Sequence, residues 1–106
     1  MTGRLPSRDI PGWWARRVYL YIEANLEREL DTNGLAHIGY ISRAHFCRSF
    51  KRVFGATVHQ YVVQRRIERA KHLMLTTSAT LTEIAVTCGM SDHSHLTRLF
   101  RRVAGD

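Results

Sequence analysis

The segment HFCRSFKRVFG at residues 45–55 recurs fifty residues further on as HLTRLFRRVAG at residues 95–105. Six of the eleven aligned positions are identical, and two others exchange similar side chains. Self-similarity of this kind within one chain indicates a structural unit that is built twice. In both copies the apolar residues recur at the spacing of an amphipathic helix, and a glycine marks where that helix ends.

A short helix is predicted upstream of each copy. Leu-Ala at 35–36 matches Ile-Ala at 84–85, and Ser42 matches Ser91, with an offset of forty-nine residues. The second copy therefore has one extra residue just after its turn. Each copy combines a short helix containing a small alanine, a turn with glycine, a serine cap and a longer helix, which is the helix-turn-helix pattern.

The rest of the chain is also helical in character. Helices are predicted at residues 13–28, after an irregular leader at 1–12, and at 58–75. We expect an all-α fold of residues 13–106, in which two helix-turn-helix subdomains (about 31–55 and 80–105) are joined by a long linker helix (about 57–75). The predicted N-caps are Asp31, Ser42, Thr57, Thr80 and either Ser91 or Asp92.

The composition favours a polyanionic partner. Sixteen Lys and Arg against nine Asp and Glu give the 106-residue chain a net charge of +7. A small domain this basic usually binds nucleic acid or an anionic membrane surface. No apolar run approaches the roughly 18 residues of a membrane span, and Cys47 and Cys88 form no CxxC motif. These features predict a protein of the cytoplasm without membrane association or disulfides.

The longer helix of each unit has an outer face that suits the major groove of DNA. The expected buried stripes are Phe46, Phe50 and Val53 in the first unit and Leu96, Phe100 and Val103 in the second. On the opposite face, Ala44 and Ser94 are small enough to allow close approach to the bases. Arg48 and Arg98 follow one turn later, where a guanidinium can bond guanine O6 and N7 together.

Other polar residues of these helices are predicted to contact phosphates, which position a protein without specifying sequence. The predicted phosphate contacts are Ser42, Arg43, Lys51, Arg52, Arg101 and Arg102. The linker helix would be about 27 Å long at 1.5 Å per residue. With its end turns, it is expected to hold two readers in successive major grooves, which lie about 34 Å apart.

These motifs resemble the DNA-binding domain of the AraC/XylS family of bacterial transcription regulators, over about residues 13–105. The resemblance is carried by YIEANL at 21–26, residues 35–36 with Ser42, the segment 45–52, RIERA at 66–70, EIA at 83–85, Cys88 with Gly89, SHLTR at 94–98 and FRR at 100–102. It implies a homeodomain-like fold that binds double-stranded DNA and regulates promoters, often as an activator through RNA polymerase. It implies base contacts by Ala44, Cys47, Arg48, Ser94, His95, Thr97 and Arg98.

The sequence departs from the family in three places. Tyr40 stands where the family has a turn glycine, so either Gly39 takes the left-handed position or the first unit is locally distorted. Gly34 replaces an acidic residue that often completes the cap. The family continues past Gly105 with a further helix, so the second unit is expected to be less stable than usual, and a truncated chain is one interpretation.

Functions other than DNA binding find less support in the sequence. No paired carboxylates, nucleophile–base pair or phosphate-binding loop is visible, so no enzyme is expected. His93 and His95 with Cys88 lack the partners for a zinc tetrahedron. We therefore predict no metal, no cofactor and no small-molecule effector site within this chain. The alternative that stays open is an interaction module that acts through RNA polymerase or a related regulator without specific DNA binding.

Overall fold

The computed structural model describes residues 12–104, which contain six α-helices and no strand. The helices are α1 (Gly12–Ala24), α2 (Thr32–Ile38), α3 (Arg43–Phe54), α4 (Val58–Thr76), α5 (Leu81–Thr87) and α6 (His93–Ala104). They form two compact units, one of residues 12–24 and 30–58 and the other of residues 25–29 and 59–104. The expected all-α class with two helix-turn-helix units is confirmed. The predicted leader at 1–12 is wrong at Gly12, which begins α1, and the rest of it lies outside the described residues, as does the predicted helix end at Gly105.

Polar caps begin the short and the long helix of each unit. Asp31 caps α2 and Ser42 caps α3, as the sequence predicts. The first turn of α6 is capped by Asp92 rather than Ser91, because the Asp92 carboxylate accepts a hydrogen bond of 2.8 Å from the His95 amide. These caps fix where the longer helix of each unit starts, which we call its recognition helix (α3 or α6). They therefore also fix which residues its outer face presents.

The start of α5 is fixed by a capping box between Thr80 and Glu83. The Thr80 hydroxyl accepts from the Glu83 amide at 3.1 Å, and the Thr80 amide donates to the Glu83 carboxylate at 2.8 Å. The hydrogen bond from the Thr80 amide to the carboxylate lowers the pKa of Glu83 most strongly, and the Thr80 side chain lowers it further. The charged carboxylate is therefore the form that stabilises this helix.

This capping box predicts an acid sensitivity of the second unit. The pKa of Glu83 is lower in the folded protein than in the unfolded chain. The ionised carboxylate therefore stabilises the fold above the pKa of an unfolded glutamate, and this stability is lost as the pH falls through the pKa of the folded state. We expect the melting temperature of the parent to fall more than that of Glu83→Gln between about pH 5 and pH 3. The glutamine keeps a hydrogen-bond acceptor but does not titrate. Parallel melting curves for the two proteins over this range would contradict the expectation.

The core of the first unit is aromatic. Trp14, Phe46 and Phe50 are at most 1 % exposed. The ring centroids of Trp14 and Phe46 lie 5.5 Å apart in an edge-to-face arrangement, and each buried ring contributes about 2 kcal/mol. The end of α2 approaches this core at Gly39, where an added Cβ would overlap the Trp14 indole nitrogen. Glycine is therefore required at this position by space rather than by backbone conformation.

The turn between α2 and α3 places Tyr40 in the left-handed region. Its φ is 58°, and it is the only non-glycine residue of the described chain with a positive φ. Gly39 has a φ of −98°, so the alternative that Gly39 takes over the turn is wrong. The turn is not distorted either, because Tyr40 itself adopts the left-handed conformation and the Ile41 amide donates to the Ala36 carbonyl as the Met90 amide does to Ala85 in the second unit. In the second unit Gly89 holds the matching position with a φ of 84°.

Replacing Tyr40 with glycine is expected to stabilise the protein. The Tyr40 side chain is 91 % exposed and loses little packing, whereas a left-handed non-glycine residue costs about 1–2 kcal/mol. Part of this gain is offset by the greater freedom of glycine in the unfolded chain. We expect a net gain of about 1 kcal/mol in urea unfolding. Tyr40→Ala is the control, since it retains a Cβ and should show no gain.

The core of the second unit is aliphatic. Its buried residues are Val63, Ile67, Ala70, Ile84, Ala85, Cys88, Met90, Leu96 and Leu99, with Leu73 and Phe100 packed against them. Cys88 is fully buried. Burial raises the pKa of its thiol, while the charges of Arg69 and Arg66 oppose this shift. The thiol is therefore a neutral core group rather than a nucleophile.

Arg66 of α4 joins residues 25–29 to this second unit. Its Nε donates to the Leu26 carbonyl at 2.9 Å and its Nη2 to the Arg28 carbonyl at 2.6 Å. Burial lowers the pKa of Arg66, with a smaller opposing effect from Cys88. Because these two carbonyls bond Arg66, α1 ends at Ala24 instead of the predicted Arg28. This role of Arg66 was not predicted, and the signal for it in the sequence is an arginine beside the apolar stripe of α4.

The buried stripes of α3 and α6 differ from the prediction, since each gains one residue and loses its predicted valine, and Phe100 of α6 is only half-buried. Ser49 and Leu99 are 0 % and 7 % exposed, whereas Val53 and Val103 are 47 % and 38 % exposed. The core therefore covers residues one turn after Phe46 and Leu96, and the last turn of each helix extends beyond it. This leaves the cations of that last turn in solvent.

Candidate nucleic-acid interface

The outer face of α3 carries the predicted readers of the first unit. Ala44, Cys47, Arg48 and Lys51 are all exposed. Ala44, Arg48 and Lys51 fall within about 60° on the helical wheel, opposite the buried Phe46. The cap at the start of the helix and the aromatic core beneath it thus bring these predicted contacts together on one side.

No acidic residue lies near α3 in the sequence to neutralise the positive charges of this face. No Asp or Glu occurs among the 36 residues from Thr32 to Ile67, which include all of α3. Within residues 12–104, Arg48 and Lys51 form no ion pair. The face is therefore positive and available to an anionic partner.

The outer face of α6 repeats this arrangement. Ser94, Arg98 and Arg101 are exposed and fall within about 60° of one another on the helical wheel. The helix contains no acidic residue, and neither arginine has an ion-pair partner in the described part of the chain. The order along α6 is the same as along α3: a small residue, an arginine one turn later and then a further cation.

Two predicted readers of α6 are held by hydrogen bonds within their own unit. His95 and Thr97 are half-buried. The Thr97 hydroxyl donates to the His93 carbonyl at 3.1 Å, and the Ser91 amide donates to His95 Nδ1 at 3.2 Å. Their side chains are therefore more constrained than those of Ser94 and Arg98. No group of three potential metal ligands is found in residues 12–104.

Known proteins share both this sequence pattern and this fold. A family model described as a helix-turn-helix domain matches residues 35–106. The protein named "probable transcriptional regulator LumQ" from Photobacterium leiognathi is 33 % identical over 85 residues, which cover 80 % of this chain and 34 % of LumQ. An AraC-type transcriptional regulator from Chromobacterium violaceum has a TM-score of 0.79 at 28 % identity, covering 88 % of this chain and 83 % of its own.

A further similar structure is the DNA-binding domain of the global transcriptional factor AdpA in complex with a target DNA. Its TM-score is 0.78 at 30 % identity, and the match covers 88 % of this chain and 83 % of the AdpA chain. The chain belongs to the AraC/XylS family. It is a DNA-binding helix-turn-helix domain of the kind that these transcription regulators carry, and it spans about a third of the length of LumQ.

The residues predicted to contact phosphate in this AraC/XylS domain lie at both ends of the recognition helices. Ser42, Arg43, Lys51, Arg52, Arg101 and Arg102 are all exposed. The hydroxyl of Ser42 already accepts from the His45 amide at 3.1 Å. Arg102 lines an open groove of about 500 Å³ with residues of α4, including His59 and Gln64. Its side chain therefore borders α4, whereas Arg101 belongs to the outer face of α6.

Among the helices of residues 12–104, none has the length and apolar character that a membrane-spanning helix requires. The membrane-surface alternative requires instead a helix with a broad basic face and an unburied apolar face. The apolar stripes of α3 and α6 are used in the two cores. The basic faces of these helices are thus better explained by nucleic acid.

Proposed function

We propose that this domain binds a specific double-stranded DNA sequence with two recognition helices, α3 and α6, placed in successive major grooves. The observation that carries the proposal is the repeated outer face of these helices. Each presents a small residue, an unpaired arginine one turn later and a further cation, on a helix without a carboxylate. Selection for solubility alone would not place the same types of residue at equivalent positions of both helices.

Arg48 and Arg98 are the proposed principal base readers, since a guanidinium matches guanine O6 and N7 with two hydrogen bonds. Ala44 and Ser94 let the start of each helix approach the bases. Cys47, His95 and Thr97 are the proposed flanking readers. Lys51, Arg52, Arg101 and Arg102, with Ser42 and Arg43, are proposed to contact phosphates and to set the position of each helix.

The long helix α4 supports the proposed spacing of the two sites. Its 19 residues correspond to about 28 Å at 1.5 Å per residue. Successive major-groove faces on one side of DNA are separated by about 34 Å, or about 10 base pairs. A single chain with this linker would contact two successive major grooves, as a dimer of single helix-turn-helix units does in other proteins.

We propose that the protein regulates bacterial promoters in the cytoplasm, as an activator, with RNA polymerase as a second partner. Support comes from the family and from relatives described as transcriptional regulators. The effector is proposed to act outside this domain, for which we propose no catalytic role and no cofactor. The domain boundaries are proposed as about 31–55 and 80–105 for the two helix-turn-helix units.

The test is a binding selection from randomised duplex DNA at about 150 mM salt, followed by sequencing. We expect a two-part motif whose halves are centred about 10 base pairs apart. Salt-sensitive binding without any enriched sequence would overturn the proposal and favour an interaction module. A single short half-site would overturn the two-groove arrangement while retaining sequence-specific binding.

A further inference from the structure

The extra residue of the second helix-turn-helix unit lies between its turn and its recognition helix. In both units the residue after the left-handed position donates its amide to the alanine of the short helix: Ile41 to Ala36 at 3.3 Å and Met90 to Ala85 at 2.8 Å. The cap of α3 follows directly at Ser42, whereas α6 is capped by Asp92. Asp92 is therefore the counterpart of Ser42, the match of Ser42 with Ser91 expected from the sequence is wrong, and Ser91 is the residue without a counterpart in the first unit.

The amide of this extra residue binds the imidazole of His95. Ser91 N lies 3.2 Å from His95 Nδ1, and the Ser91 hydroxyl lies 3.3 Å from the same nitrogen. A backbone amide can only donate, so Nδ1 must accept and carries no proton in this arrangement. The proton of the neutral ring is then on Nε2, which has no hydrogen-bond partner among residues 12–104. The ring thus offers a donor and no acceptor.

We propose that the Ser91 amide makes His95 a donor-only reader of the second half-site. This rests on the proposed function, in which α6 lies in a major groove. A donor can bond N7 of either purine, O6 of guanine or O4 of thymine, but it has nothing to bond at the amino group of cytosine. His95 therefore excludes cytosine at the base that it faces, and Ser91 is the positioning residue that imposes this polarity.

The equivalent histidine of the first unit lacks this constraint. The His45 amide is capped by the Ser42 hydroxyl at 3.1 Å, but no hydrogen bond holds its ring within the described residues. The imidazole of His45 can therefore present either nitrogen as donor or acceptor. The two recognition helices are repeats, but His95 can only donate to its half-site whereas His45 can donate or accept. The domain therefore binds its DNA site in one orientation.

Two measurements test the inference, and the first of them does not depend on DNA binding. Long-range proton–nitrogen NMR on the free 106-residue protein at about pH 8 reports which ring nitrogen carries the proton. We expect His95 to be protonated at Nε2, and a ring protonated at Nδ1 would overturn the inference even if the protein binds DNA specifically. The NMR result stands by itself if the binding selection enriches no sequence and the proposed function fails.

The second measurement compares sequences selected by the parent, His95→Gln and His45→Gln. Glutamine can donate or accept at about the place of Nε2. We expect the parent to disfavour cytosine about tenfold at one position of the second half-site, and His95→Gln to reduce this to about twofold. His45→Gln is the matched control and should leave that position unchanged. Enrichment of cytosine by the parent there, or equal profiles for the parent and His95→Gln, would contradict the assignment.

Discussion

Gly89→Ala is expected to destabilise the second unit by about 3 kcal/mol. A left-handed residue with a Cβ costs about 1–2 kcal/mol, and Gly89 has a φ of 84°. The added Cβ would also overlap the carbonyl oxygen of Leu26 and lie 2.9 Å from Arg66 Nε. That carbonyl is itself bonded to Arg66, so relieving the overlap would break the contact that holds residues 25–29. Overpacking of this kind adds about 1–3 kcal/mol.

Alanine substitutions at two other glycines distinguish the cost of the left-handed conformation from the cost of the steric overlap. The free energy of unfolding is measured in urea by circular dichroism. Gly55 has a φ of 79° but open space where a Cβ would lie, so Gly55→Ala should show only the left-handed cost of about 1–2 kcal/mol. Gly34 lies inside α2 with open space, and Gly34→Ala should stabilise by up to about 1 kcal/mol. Unfolding midpoints of Gly89→Ala and Gly55→Ala that coincide would show that the Leu26 contact is unimportant.

Arg98→Ala is expected to weaken binding to the selected DNA site by about 1–3 kcal/mol, or roughly 5- to 150-fold, while changing binding to random DNA far less. Arg48→Ala should have an effect of the same size, because both side chains occupy the same place on repeated helices. The loss arises from two hydrogen bonds to one guanine, which random DNA rarely offers in register. Fluorescence anisotropy titrations with specific and scrambled duplexes at about 150 mM salt measure it.

Charge-matched controls distinguish base reading from attraction to the DNA backbone. Arg98→Lys keeps the positive charge but loses the two-pronged geometry, so it should lose nearly as much specific affinity as Arg98→Ala. Lys51→Ala, by contrast, should weaken binding to all sequences evenly and reduce the slope of log affinity against log salt by about one. Equal losses of Arg98→Ala on specific and scrambled DNA would contradict the base-reading role.

The repeat and the polar caps were enough to predict the fold class. The spacing of Phe46 and Phe50, the cap at Ser42 and the glycine at 55 place α3 to within a residue of where it lies. Local chemistry decides these features, since each helix end depends on residues within one turn of it. The exposed positions of Arg48 and Arg98 follow from the same periodicity.

Features that depend on distant residues could not be predicted in this way. The end of α1 depends on Arg66, forty residues from the Leu26 carbonyl that it binds. The need for glycine at position 39 depends on the close approach of the Trp14 indole, which comes from a different helix. The sequence leaves Ser91 and Asp92 as alternative caps of α6, and the contacts that make Asp92 the cap and bind Ser91 to His95 are local ones. The other two features depend on tertiary contacts.

α3 and α6 are proposed to read bases in two successive major grooves of one duplex. Methylation interference tests this arrangement, because methylation of guanine N7 in the major groove blocks the acceptor that Arg48 and Arg98 are proposed to use. On the selected duplex, we expect two clusters of interfering guanines about 10 base pairs apart, on one face of the DNA. The cluster in one half should disappear in Arg48→Ala and the cluster in the other in Arg98→Ala. A single cluster, or interference that neither substitution changes, would rule out base reading by both helices in successive grooves.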